Sequence, residues 1–148
     1  MKYIFDSNVY DYLHDKSIAT NEIRSIGSIF ITNIQLSEVI NIPDEQRRRA
    51  LLATIDRVDP QKLQLLSGVW IDALQWDEEQ VWIDDINPAC TNLLGNATKN
   101  IPWMDALIGE VALHQGLILV TSDQKFAARA ASNGIQCVTP NDLFSKNQ

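Results

Sequence analysis

Short β-type runs alternate along this chain with longer helical patterns, an order that predicts an α/β domain with a mostly parallel sheet. The first run is Tyr3-Ile4-Phe5. It ends at Asp6-Ser7-Asn8, residue types that favour turns and helix starts, and Val9, Tyr10, Tyr12 and Leu13 continue with helical spacing. Ser28-Ile29-Phe30-Ile31 reads as a second strand. Thr32 follows it with Gln35 three residues on, the signature of a capping box. The helix opened there carries Glu38 in its second turn and stops before Pro43. Pro43-Asp44-Glu45 starts another helix, with acid in the first turn where the macrodipole favours it, running through Arg47-Arg48-Arg49 and Leu51-Leu52 to Val58. Leu63 to Leu66 reads equally as a short strand or as part of a helix, because periodicity does not decide over so few residues.

Between Val69 and Ile86 the apolar positions Val69, Trp70, Ala73, Leu74, Trp76 and Val81 favour helices, and Asn87-Pro88 breaks them. A further helical stretch holds Cys90, Leu93 and Leu94 and ends near Gly95. Pro102 suits the first turn of the next helix, in which Met104, Leu107, Ile108 and Val111 follow the i, i+3, i+4, i+7 rule of a buried face. Gly116 closes it. Leu117-Ile118-Leu119-Val120 is the pattern of a central parallel strand buried on both faces, and it ends at Thr121-Ser122-Asp123. A helix over Phe126 to Asn133 stops at Gly134, and a last strand, Gln136-Cys137-Val138, leads into Thr139-Pro140-Asn141-Asp142 and a C-terminal turn.

A length of 148 residues fits one domain over 1–148, and 45% hydrophobic with 21% charged residues is a globular composition. No apolar run approaches the roughly 18–20 residues of a membrane span. The start at Met1 lacks a signal-peptide pattern, and Cys90 and Cys137 lack metal-site spacing, so the expectation is a cytoplasmic protein with two thiols. A net charge of −7 argues by itself against a nucleic-acid partner. Its distribution changes that picture. Residues 63–98 hold six acids (Asp72, Asp77, Glu78, Glu79, Asp84, Asp85) and no Lys or Arg, which leaves 13 acids against 12 bases elsewhere. Trp70, Trp76 and Trp82 fall in the same stretch, which reads first as an amphipathic helical hairpin with its acids in solvent and second as a docking surface with tryptophan anchors.

The remaining acids carry the candidate chemistry. Asp6 and Asp123 stand at the C-terminal ends of two expected strands, and Glu38 and Asp105 in early turns of helices starting beside the same sheet edge. In open α/β sheets that edge is where ligands bind. Each acid alone also reads as a helix cap or dipole partner; their coincidence at one edge favours a site. Clustered carboxylates repel and raise one another's pKa, and a hard divalent cation such as Mg²⁺ or Mn²⁺ is the usual remedy. An acid-only site of this kind points to phosphate chemistry. Lys125 and Arg129, near Asp123 in sequence, are the favoured phosphate-backbone contacts over Arg47-Arg48-Arg49, whose position also suits a solvated helix face, and His14 and His114 read as structural.

Four blocks, in order along nearly the whole chain, resemble those of a PIN domain, the Mg²⁺-dependent ribonuclease fold of the VapC toxins of bacterial toxin–antitoxin pairs. They are Phe5-Asp6-Ser7-Asn8, Leu36-Ser37-Glu38-Val39, Trp103-Met104-Asp105-Ala106-Leu107-Ile108 and Leu119-Val120-Thr121-Ser122-Asp123-Gln124-Lys125-Phe126, with Cys137-Val138-Thr139-Pro140 closing the series. The resemblance implies a three-layer α/β/α sandwich with a mostly parallel sheet of four or five strands, a homodimer and a cognate antitoxin. It implies a catalytic set of Asp6, Glu38, Asp105 and Asp123, with Asp6, Asp105 and Asp123 on Mg²⁺ or Mn²⁺ and Glu38 orienting the attacking water. Ser7, Asn8 and Thr121 match positions that buttress those acids by hydrogen bonding. The implied activity is endoribonucleolytic hydrolysis leaving a 5′-phosphate and a 3′-hydroxyl. The sequence departs from the pattern at Lys125, where many relatives carry a further acid; this leaves one or two metals open and offers Lys125 as a phosphate contact. A PIN fold used as a non-catalytic scaffold is the alternative. A phosphoryl-aspartate receiver is disfavoured, since Asp6 is followed by Ser7 and not by a second acid.

Overall fold

A computed structural model describes residues 1–63 and 103–145, the side chains of 103–106 excepted. The helices expected between Val69 and Leu94, with their tryptophans and Cys90, lie outside the described residues. Strands β1 (Lys2–Phe5), β2 (Ser28–Ile31), β3 (Gln61–Lys62), β4 (Ile118–Val120) and β5 (Cys137–Val138) form one sheet in the order β3-β2-β1-β4-β5, and every neighbouring pair is parallel. Successive strands step outward from β1 to β3 on one side, and the later pair continues on the other. The strand order therefore reverses between β1 and β4, where Ile4 pairs with Leu119 and Phe5 with Val120. The crevice of such a sheet opens at that reversal, beyond the carboxyl ends of the two strands.

Helices cover both faces. On one, Ile4 and Leu119 pack with Leu107, Ile108 and Val111 of α5 (Trp103–Gln115) and with Phe126 and Ala130 of α6 (Gln124–Ser132). On the other, Tyr3, Phe5 and Val120 pack with residues of α1 (Ser7–Asp15), α2 (Thr20–Ser25), α3 (Asn33–Ile40), α4 (Glu45–Val58) and α7 (Pro140–Phe144). Burial of β1 and β4 from both sides explains their unbroken apolar runs.

The helix starts follow their caps. Asp6, Asp44, Asp123 and Thr139 each accept backbone N–H groups at the heads of α1, α4, α6 and α7. Thr32 and Gln35 form the expected capping box on α3. Gly116, at φ 64, stops α5 as expected. Differences lie in the short elements. Helix α2 has no counterpart in the sequence reading, being six residues long with no side-chain cap. Strand β3 (Gln61–Lys62) lies just before Leu63, and residues 64–66 lie outside the described residues. Helix α6 begins at Gln124, two residues before Phe126, because the Asp123 carboxylate already caps it. The C-terminal turn is helical.

Candidate active site

Strand β1 delivers Asp6 to the reversal point with an extended backbone (φ −66, ψ 155) and a side chain only 4% exposed. Its Oδ1 accepts the Ser7 N–H at 2.8 Å. Its Oδ2 accepts the Thr121 hydroxyl at 2.9 Å and the Asn8 side-chain amide at 3.0 Å. The Asn8 oxygen takes the Ser122 N–H at 3.1 Å, and the Thr121 oxygen takes the Asp123 N–H at 3.1 Å. These contacts lace the loop after β1 to the loop after β4. Burial pushes the Asp6 carboxyl up; hydrogen bonds from Thr121 and Ser7 oppose that, the Asp123 charge adds to it, and the Asn8 amide opposes it.

Glu38 lies in the second turn of α3, half-buried. Burial raises its carboxyl first; the Ser7 hydroxyl bonds to it and lowers it, and the Asp6 charge raises it. Its Oε2 is buried with no partner among the described residues. Ser7 thus serves both acids, Asp6 through its N–H and Glu38 through its hydroxyl.

Asp123 sits at the rim. It is exposed, its Oδ1 accepts the Lys125 and Phe126 N–H groups at 3.0 Å each, and its charge reaches Asp6. Asp105 is the third residue of α5, and its side chain lies outside the described residues. Lys125 is exposed in the first turn of α6. Arg129 belongs to the last turn of that helix, away from Asp123, with its Nε buried and unpartnered among the described residues. The arginine triplet is engaged within the molecule. Arg47 forks onto Asp11 and Asp15 of α1, Arg48 donates to the Ile42 carbonyl at 3.0 Å, and Arg49 pairs with Glu45 at 2.7 Å.

A family model for the PIN domain matches residues 3–132. This chain belongs to the PIN domain family. Solved structures agree in fold. VapBC2 from Rickettsia felis, bound to a DNA fragment from their promoter, is 19% identical with a TM-score of 0.57, over 94% of this chain and 98% of that one. PAE2754 from Pyrobaculum aerophilum is 16% identical with a TM-score of 0.59, over 99% and 97%. VapBC-1 from nontypeable Haemophilus influenzae is 20% identical with a TM-score of 0.56, over 95% and 99%. No curated protein matches the chain.

In this PIN domain, Asp6, Ser7, Asn8, Glu38 and Thr121 come together and Asp123 borders them. Among the described residues no three His, Cys, Asp or Glu side chains form a group able to hold an ion. The donors present nevertheless fit a hard divalent cation in kind. All are oxygens. An ionised carboxylate offers about four lone-pair sites, and hydrogen bonds take three on Asp6, leaving one on Oδ1. Glu38 Oε2 is buried and unpartnered beside it, and the Asp6 charge raises the cost of ionising Glu38. Sequence reasoning passed over one residue here. Gln35 reads as a cap alone, yet its amide reaches the end of β1, a contact across 30 residues that no local pattern announces. Among the described residues no helix is long and apolar enough to cross a membrane.

Proposed function

We propose that this PIN domain, a single unit over residues 1–148, is a Mg²⁺- or Mn²⁺-dependent endoribonuclease and the toxin of a VapBC-like pair. The observation that carries the reading is the buried Asp6 carboxylate at the strand-order reversal, with the unpartnered Oε2 of Glu38 beside it. PIN domains are generally nucleases, and those of this type use divalent metals. Asp6, Asp105 and Asp123 would hold the ion directly or through water. When bound, the ion supplies Lewis-acid polarisation of the scissile phosphate and a water of lowered pKa. Hydrogen bonds from Thr121, Ser7 and Asn8 favour the ionised form of Asp6 against its burial and fix its rotamer. Glu38, steadied by the Ser7 hydroxyl, orients the attacking water. Lys125 stands exposed beside Asp123, available to a substrate phosphate, and Arg129 at the far end of α6 would meet a longer RNA strand. Hydrolysis would leave a 5′-phosphate and a 3′-hydroxyl. Likeness to the two VapBC structures supports a cognate antitoxin as partner, with a homodimer and a cytoplasmic location as further parts of the reading.

Lys125, in place of a further acid, favours a second reading, a PIN fold kept as a scaffold. Calorimetric titration with Mn²⁺, together with cleavage of a panel of structured RNAs with and without chelator, separates the two. The nuclease reading expects Mn²⁺ binding and chelator-sensitive cleavage by the wild type, with both lost in Asp6→Asn and Asp105→Asn proteins that remain folded. Cleavage by those variants at the wild-type rate overturns the site assignment; a wild type that neither binds Mn²⁺ nor cleaves supports the scaffold.

A further inference from the structure

Gln35 occupies the N3 position of α3, where Gln and Glu serve a capping box equally well, since both offer an oxygen to the N-cap N–H. Here Oε1 accepts the Thr32 N–H at 2.7 Å and also contacts the Thr32 hydroxyl. Only Gln has a hydrogen left to give. Its Nε2 donates to the carbonyl of Phe5 at 3.0 Å, and the whole side chain is buried. Phe5 is the last residue of β1. Its neighbour β4 is still paired there, at Val120, but the ladder to β2 has ended at the Ile4–Phe30 pair because β2 turns into α3. The Gln35 amide supplies the next rung in place of a strand. The two ends of this rung adjoin the two acids of the site: Asp6 follows Phe5, and Glu38 lies one turn after Gln35 on the same side of α3.

We propose that Gln35 is a positioning residue, whose amide pins α3 to the end of β1 and so sets the spacing of Glu38 from Asp6. Its effect on metal and RNA rests on the nuclease reading above; its effect on geometry does not. The first measurement is on the metal-free wild type, where NMR should show a cross-hydrogen-bond coupling between Gln35 Nε2 and the Phe5 carbonyl carbon. In Gln35→Met, an isostere without the amide, the backbone resonances of Ser7 and Glu38 should shift. Mn²⁺ affinity measured by calorimetry should fall by about 10- to 100-fold, and kcat should fall with it while KM for RNA holds, as for outer-shell partners of metal ligands. Asp44→Ala, which removes a cap from α4 and no rung, should leave all three readouts alone. Absence of the coupling overturns the proposal. So do resonance changes confined to residues 32–36, or an unchanged Mn²⁺ affinity in a wild type that binds the ion. If the wild type neither binds Mn²⁺ nor cleaves RNA, the nuclease reading fails and the resonance arm alone decides the role of Gln35. If Gln35→Met does not fold, the wild-type coupling decides: its presence supports the rung from Gln35 to Phe5, and its absence overturns the proposal.

Discussion

One hydroxyl group at the site uses its full hydrogen-bonding capacity. Thr121 Oγ1 donates to Asp6 and accepts from the Asp123 N–H and the Asn8 amide, one donor and two lone pairs all engaged. Thr121→Val keeps the shape and removes all three contacts. It should lower stability by about 1–3 kcal/mol in urea unfolding, the cost of leaving buried polar partners unpaired. A change within a few tenths of a kcal/mol would show that the lacing between the two loops carries no stability. Tyr10 is the converse case. Its ring packs 5.9 Å from Phe5 in the core, while its hydroxyl is buried with no partner among the described residues. Tyr10→Phe removes a desolvated group without opening a large void, so thermal melts should show equal or higher stability, by up to about 1–2 kcal/mol. A clear loss would mean that the hydroxyl is bonded in solution.

At the scale of elements, Asp123 is both the cap of α6 and a border residue of the site, and substitution can separate the two roles. Asn caps about as well as Asp, whereas Ala forfeits about 1 kcal/mol. Asp123→Asn should therefore melt near the wild type yet lose metal-dependent cleavage; Asp123→Ala should lose both. Full activity in the Asn variant would reduce Asp123 to a cap. The same cap logic explains what the sequence made readable. Asp6, Thr32, Asp44 and Asp123 announce the helices they start, because a cap is a local event within three residues. Strands β1, β2 and β4 were readable because burial leaves apolar runs. Helix α2 was not, since six residues and one fully buried side chain, Ile23, give no periodicity. Nor was β3, whose two exposed residues Gln61 and Lys62 join the sheet through backbone bonds alone. Within the site, Asp6 and Glu38 followed from strand ends and helix starts, and Thr121 from the resemblance to PIN domains alone. The Gln35 rung did not, because its acceptor is a main-chain carbonyl whose position depends on where the β1–β2 ladder stops.

For the whole molecule, Asp6, which is buried, and the half-buried Glu38 shape how stability responds to pH and to metal. Asp6 and Glu38 are both raised in the folded state. From about pH 4, the ordinary carboxylate value, up to their raised folded values, the native state holds protons that the unfolded chain has released. Stability contributed by these two groups is therefore present at low pH and falls as pH rises through that window. Asp15, lowered by its hydrogen bond to Arg47, works in the opposite sense: its contribution appears above the ordinary value and is lost as pH falls. A net charge of −7 adds general self-repulsion at neutral pH. A cation that binds only the ionised native pair reverses the loss, by about 2.7 kcal/mol at 100 times its Kd. In chelator, the Tm difference between wild type and Asp6→Asn should thus move against the wild type as pH rises from about 4 toward neutral, as the buried carboxylate ionises. Saturating Mn²⁺ should raise the wild-type Tm at neutral pH, do progressively less as pH falls and protons compete for the same oxygens, and leave Asp6→Asn unmoved. Equal Mn²⁺ stabilisation of both proteins would place the ion elsewhere on an acidic surface, with residues 63–98 the first place to look, because six of the seven excess negative charges lie there.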